Sequence, residues 1–141
     1  MVSRYLMHTV PDLRAHGGAD AFLRNCASRA VLDLLTNKWV CLVVGALRPG
    51  TMRFGELRRR LDGVTQKMLT QTLRDLERAG LVHRAVYPSV PPRVEYSLTP
   101  LGQNVAGLMD AIRVWSEEHI DDIRTAQEAY DTKAGEELQP V

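Results

Sequence analysis

Apolar positions along this chain recur first at helical spacing, then at strand spacing, then at helical spacing again. Ala27–Leu35 has apolar residues at 27, 30, 31, 34 and 35, which predicts an amphipathic helix closed by Asn37. Trp39–Leu47 is apolar nearly all round, the pattern of a central buried helix, and Pro49-Gly50 ends it. Phe54, Leu57 and Leu61 share one face of a short helix over Phe54–Leu61, stopped by Asp62-Gly63. A longer helix is predicted over Thr65–Ala79, with Thr65 as N-cap, Leu69, Leu73 and Leu76 on its core face, and Gly80 just past its end. Leu81–Tyr87 and Val94–Leu98 read as antiparallel strands around a Pro88–Arg93 loop. Thr99 and Pro100 then open a last helix, on which Leu101, Val105, Leu108, Ile112, Trp115, His119 and Ile123 recur at steps of three and four. There is no internal repeat. Residues 1–25, with Pro11, the Gly17-Gly18 pair and little periodicity, read as an N-terminal arm ordered in part against a partner subunit. Residues 26–124 form the domain, and 125–141 a frayed acidic tail. The order of elements is an α+β, mainly α, winged helix-turn-helix with a C-terminal dimerisation helix.

The formal net charge of +1 hides a segregation. Residues 53–84 carry eight Lys/Arg and four Asp/Glu, whereas 110–141 carry three and nine. A basic middle and an acidic end fit a nucleic-acid face on one side, although solvated helix faces give the same tally. No continuous apolar core follows the charged start, so no signal peptide is expected. The longest apolar run, Trp39–Leu47, is too short to span a bilayer. Two cysteines make no disulfide framework, so a cytoplasmic chain with reduced thiols is expected. His8, His16, His83 and His119 have no metal-ligand spacing with the cysteines, and there is no phosphate-cradling loop or nucleophile elbow. Neither enzyme, metal nor cofactor is expected.

Opposite the leucines of Thr65–Ala79 stand Gln66, Lys67, Thr70, Gln71 and Arg74. These side chains suit a major groove: Gln pairs with adenine, Arg or Lys with guanine, and Thr with a thymine methyl or a phosphate. An ordinary exposed helix face would be richer in Glu and Lys, and this one has no acid before Asp75. Arg53, Arg58, Arg59 and Arg60 could hold phosphates, at most two of them from one side. Arg93 either reaches a minor groove or is solvated or paired with Glu95. The stripe from Leu101 to Ile123 is longer than a small winged domain needs, which favours packing against a second copy over folding back on its own subunit. Cys26 lies between Arg24 and Arg29 at a helix start, where positive neighbours favour thiolate; the alternative is a small apolar residue. Cys41, within WVCLVVGAL, reads as inert core.

Cys26 followed by LDLLTNKWV, then RFGELRRRLDGVTQKMLTQTLRDLERAGLVHRAVYPSVPPRVEYSLTPLG, resembles the HxlR family of bacterial winged-helix regulators, related to the MarR group. The resemblance spans about residues 26–120 and implies a homodimeric transcription factor on double-stranded DNA. It implies that Thr65–Ala79 is the recognition helix and the hairpin around Arg93 the wing. Some members sense oxidants or electrophiles through a cysteine just before the first core helix, the place Cys26 occupies. This chain has Ala27 where a proline usually follows, and Thr36-Asn37 where Gly-Gly is common. The expected function is regulation from a pseudo-palindromic operator, through Arg53, Thr65, Gln66, Lys67, Thr70, Gln71, Arg74 and Arg93, with a response at Cys26. The alternatives are a MarR-like regulator answering a small molecule without cysteine chemistry, and a winged helix used for protein partners.

Overall fold

The computed structural model describes residues 18–138. Its elements are α1 (Ala27–Leu35), α2 (Lys38–Leu47), β1 (Met52–Arg53), α3 (Phe54–Arg60), α4 (Gln66–Arg78), β2 (Val82–Tyr87), β3 (Arg93–Leu98), α5 (Pro100–Glu118) and α6 (Ile120–Leu138). The mainly helical winged helix-turn-helix expected from the sequence is the fold that forms. Helix α2 is its axle: Val40, Val43, Val44 and Leu47 are buried against Leu57 of α3, Leu69, Leu73 and Leu76 of α4, and Ala106 and Met109 of α5. Asn37 does not close α1, which ends at Thr36. Its side chain instead caps α2, accepting the N–H groups of Trp39 at 2.8 Å and Val40 at 3.3 Å.

Between α3 and α4 the chain turns at Gly63, whose φ of +84° is disfavoured for other residues. Thr65 then starts α4, its hydroxyl accepting the Met68 N–H at 3.1 Å. The sheet has the order β1-β3-β2, with all pairs antiparallel. β2 and β3 pair from Val82↔Leu98 to Tyr87↔Arg93, within a residue of the expected bounds. β1 was not expected. It is two residues long, pairs Met52 with Tyr96, and ties the start of α3 to the wing.

Thr99 joins wing to helix. Its hydroxyl donates to the Gly80 carbonyl and accepts the Gly102 N–H at 3.1 Å. Gly102 is buried so close to β2 that a Cβ there would stand 2.1 Å from the Leu81 carbonyl oxygen. No side chain fits without moving backbone.

Two expectations for the C-terminal end are corrected. The last helix does not run unbroken to Ile123. It stops at His119, whose φ of −111° and ψ of 11° break the helix, and Ile123 belongs to α6. Nor is the segment from Thr125 frayed, because α6 continues as helix to Leu138. Strong helix formers such as Ala126, Gln127, Glu128 and Ala129 explain that, although no residue of α6 is buried. Most of the expected N-terminal arm lies outside the described residues. No single helix among the described residues is long and apolar enough to cross a membrane.

Candidate nucleic-acid interface

Helix α4 turns Leu69, Thr72, Leu73 and Leu76 inward and leaves Gln66, Lys67, Gln71 and Arg74 exposed, with Thr70 half-buried. Gln66, Thr70 and Arg74 are brought together with Arg84 and Tyr96 in a hollow of about 460 Å³ between α4 and the sheet. Lys67 and Gln71 lie outside that hollow. Gln71 donates an amide N–H to Asp75 at 2.9 Å, which fixes the amide while leaving its carbonyl and second N–H unengaged by that contact.

Two further side chains belong to this surface and were missed from sequence. Met68 is 42% exposed on the first turn of α4. Arg84 is exposed on β2 opposite Tyr96. The period-two alternation from buried Val82 puts Arg84 on the α4 side of the sheet, and that signal was legible.

Arg53 and Arg93 line a second hollow, about 540 Å³, between the start of α3 and the wing tip. Arg53 is exposed, and its backbone N–H donates to Glu56 at 3.0 Å, half of a capping box. Arg93 is not a free finger at the tip. It stacks 4.3 Å from the Tyr87 ring centroid, pairs with Glu95 at 3.6 Å, and its buried Nε has no hydrogen-bond partner. In the DNA-free protein it is paired with Glu95.

Ion pairs are distributed unevenly. Among the described residues, every ion pair involves Arg48, Arg93 or Arg113. Arg53, Arg58, Arg59, Lys67, Arg74 and Arg84 enter none, so these cations of the helix-turn-helix face are not engaged by carboxylates of the described residues.

Most of the apolar stripe on α5 faces away from the core, although Val105 packs against it. Leu101, Leu108, Ile112 and Trp115 are exposed, and Ile123 continues the run on α6, while Val105 and His119 are half-buried. The His119 ring stacks on Trp115 with centroids 4.4 Å apart. The core side of α5 consists of Gly102, Ala106 and Met109, small or flexible residues that the leucine periodicity conceals. Val31 and Leu32 of α1 are also about half exposed.

The HxlR-like helix-turn-helix family profile matches residues 34–124, well over half of the chain. The chain belongs to the HxlR family. It is 47% identical over 102 residues to YtfH of Escherichia coli K12, an uncharacterised HTH-type transcriptional regulator, covering 72% of this chain and 81% of that protein. The solved structure of YtfH from Salmonella typhimurium superposes with a TM-score of 0.75 at 44% identity, over 78% of this chain and 98% of that one. The redox regulator HypR, in its oxidised form, superposes with a TM-score of 0.61 at 41% identity, over 66% of this chain and 96% of its own. This HxlR chain is a transcriptional regulator with a helix-turn-helix domain.

In this HxlR chain Cys26 is the N-cap residue of α1 and is partly exposed. Its sulfur lies 3.1 Å from the Ser28 hydroxyl and accepts the Asp20 N–H at 3.2 Å. The Ser28 hydroxyl first, then the Asp20 and Ser28 backbone N–H groups, hold the thiol below its ordinary range; slight burial and the Asp20 carboxylate oppose them. The arginines expected to do this do not. Arg29 instead donates to the carbonyls of Ala21 and Phe22 at 2.7 and 2.9 Å. Cys41 is only half-buried, at 3.6 Å from the Met109 carbonyl, and burial followed by the Asp110 carboxylate pushes its thiol up.

Proposed function

We propose that this regulator works as a homodimer on a pseudo-palindromic operator, with α4 in the major groove. The observation that carries the reading is the α4 face itself: Gln66, Lys67, Gln71 and Arg74 stand exposed, beside cations that enter no ion pair among the described residues. Arg53, Arg58, Lys67 and Arg84 would hold phosphates, supplying most of the affinity and its salt dependence. Thr65 would set the start of α4 against the backbone as its N-cap. Gln66, Thr70, Gln71 and Arg74 would choose among bases, and Met68 would meet a thymine methyl or a sugar. Arg93, held by Tyr87 and Glu95, would brace the wing and offer its outer edge to the neighbouring minor groove.

The dimer reading is supported by the α5 stripe. Full burial of one large apolar side chain is worth about 1.5–3 kcal/mol, so half-exposed Leu101, Leu108, Ile112, Trp115 and Ile123 on each copy represent a substantial gain on pairing. A two-fold pair would set its two α4 helices one duplex turn apart, about 34–36 Å. The chain would act in the cytoplasm, where Cys26 is normally reduced. The lowered Cys26 thiol and the likeness to a protein named a redox regulator support an oxidant-responsive operator complex.

Gel shifts of the full chain on its own upstream intergenic DNA, against unrelated competitor and with or without diamide, test both levels. Specific binding that diamide abolishes in the wild type but not in Cys26→Ser is expected. Specific binding that diamide leaves intact would remove the redox level alone. Absence of specific binding would remove the operator reading.

A further inference from the structure

Three methionines fall within the described residues, and they meet solvent unequally. Met109 is buried in the core at 2% exposure, and Met52 is half-buried against that core. Met68 alone among them is exposed, at 42%. Its backbone is fixed on both sides. The Thr65 hydroxyl accepts its N–H at 3.1 Å, and its carbonyl accepts the Thr72 hydroxyl at 2.8 Å. The first turn of α4 therefore holds the Cα in place while the thioether stands on the surface. Residues three apart on a helix are neighbours, so Met68 stands beside Gln71, whose amide in turn holds Asp75 at 2.9 Å.

A thioether is soft and apolar, with no hydrogen-bond donor and only a weak acceptor. Its sulfoxide is polar and chiral, with an acceptor oxygen that bears partial negative charge. At this position the change has two consequences. The new oxygen repels phosphate oxygens and finds no donor at a thymine methyl. It also competes with Asp75, and with an adenine, for the amide N–H groups of Gln71. Both act on the outer face of α4, and neither reaches the core.

We propose that Met68 is a reversible oxidation site, at which a peroxide converts the thioether into a sulfoxide and so releases α4 from its operator. The sulfur lone pair attacks one oxygen of hydrogen peroxide, and an S–O bond forms as the O–O bond breaks. The departing hydroxide takes the proton left on the new oxygen and becomes water. Sulfur is oxidised by two electrons and the peroxide reduced by two. A methionine sulfoxide reductase reverses the step, with a dithiol as reductant that ends as a disulfide while the oxygen leaves as water. The release rests on the operator reading above; the oxidation itself does not. Neither needs Cys26.

The test uses the full-length protein carrying Cys26→Ser and Cys41→Ala, so that no thiol contributes. The DNA-free protein is treated with hydrogen peroxide and mapped by peptide mass spectrometry, and specific binding to upstream DNA is measured before and after. Sulfoxide at Met68 ahead of Met52 and Met109 is expected, with a loss of operator affinity of roughly fivefold or more. Methionine sulfoxide reductase should restore that affinity. Adding Met68→Leu keeps every other methionine, and the affinity of that protein, at whatever level it stands, should be the same before and after peroxide. Oxidation of Met52 or Met109 ahead of Met68 would overturn the site. Affinity unchanged by the Met68 sulfoxide, or an equal loss in the Met68→Leu protein, would overturn the release. Absence of specific binding before any peroxide is added would overturn the operator reading, and the release with it, while the order of oxidation is still read without DNA.

Discussion

Gln71 already gives one amide N–H to Asp75 in the free protein, so its side chain is held outward before any DNA arrives. A bidentate contact to adenine needs only the carbonyl and the other N–H. Gln71→Ala is therefore expected to weaken operator binding by about 1–3 kcal/mol while sparing non-specific binding, as competition titrations would report. Asp75→Ala should act differently. It frees the amide and removes a negative charge from the DNA side, so non-specific affinity should rise as the specific-to-non-specific ratio falls. An unchanged ratio would remove Asp75 as a positioning residue. At Cys26, hydrogen bonds to sulfur favour the charged form, so alkylation should reach its half-maximal rate below the pH of an ordinary thiol. Ser28→Ala should move that pH upward; an unmoved profile would contradict the assignment. Gln66, Lys67, Gln71 and Arg74 were legible in the sequence because the leucine stripe defines their face, whereas Met68, apolar yet exposed, was not. The surroundings of Cys26 were not, since the Asp20 N–H comes from a turn six residues earlier and Arg29 is drawn to backbone carbonyls instead.

Helices α4 and α5 and the β2–β3 hairpin were legible because their caps or turns and periodicities agree, and α2 from its apolar run alone. Strand β1 was not, for two residues carry no period, and only their pairing with Tyr96 and Glu95 makes them a strand. The break at His119 was concealed by apolar spacing that continues through it. The core face of α5 was concealed for the opposite reason: Gly102 and Ala106 are selected by closeness, not by hydrophobicity. Gly102→Ala should accordingly cost about 1–3 kcal/mol or more, read as a lower urea midpoint, since the Leu81 backbone must move to admit a methyl group. A midpoint equal to wild type would mean that the α5–β2 contact is looser than described.

Across the whole molecule, charge and apolar surface are sorted onto different faces. Unpaired cations gather on α3, α4 and β2, the apolar stripe runs along α5, and α6 is acidic. The basic and acidic ends were visible in the charge tally. The availability of the cations was not, because it depends on which acids fold within reach. In the proposed dimer Ile112→Glu would put a charge into the apolar stripe and remove apolar area, so sedimentation should show a smaller species than the wild type at the same concentration. Operator affinity should fall with it, since one half-site then binds alone. The most direct test of sequence reading by α4 is the ratio of affinities for upstream operator DNA and unrelated DNA at one salt concentration, for wild type and Gln71→Ala. A wild-type ratio of roughly 10³ or more, reduced about tenfold or more in the variant, is expected. Ratios near one for both proteins would contradict it, leaving α4 as an exposed basic helix without a sequence to read.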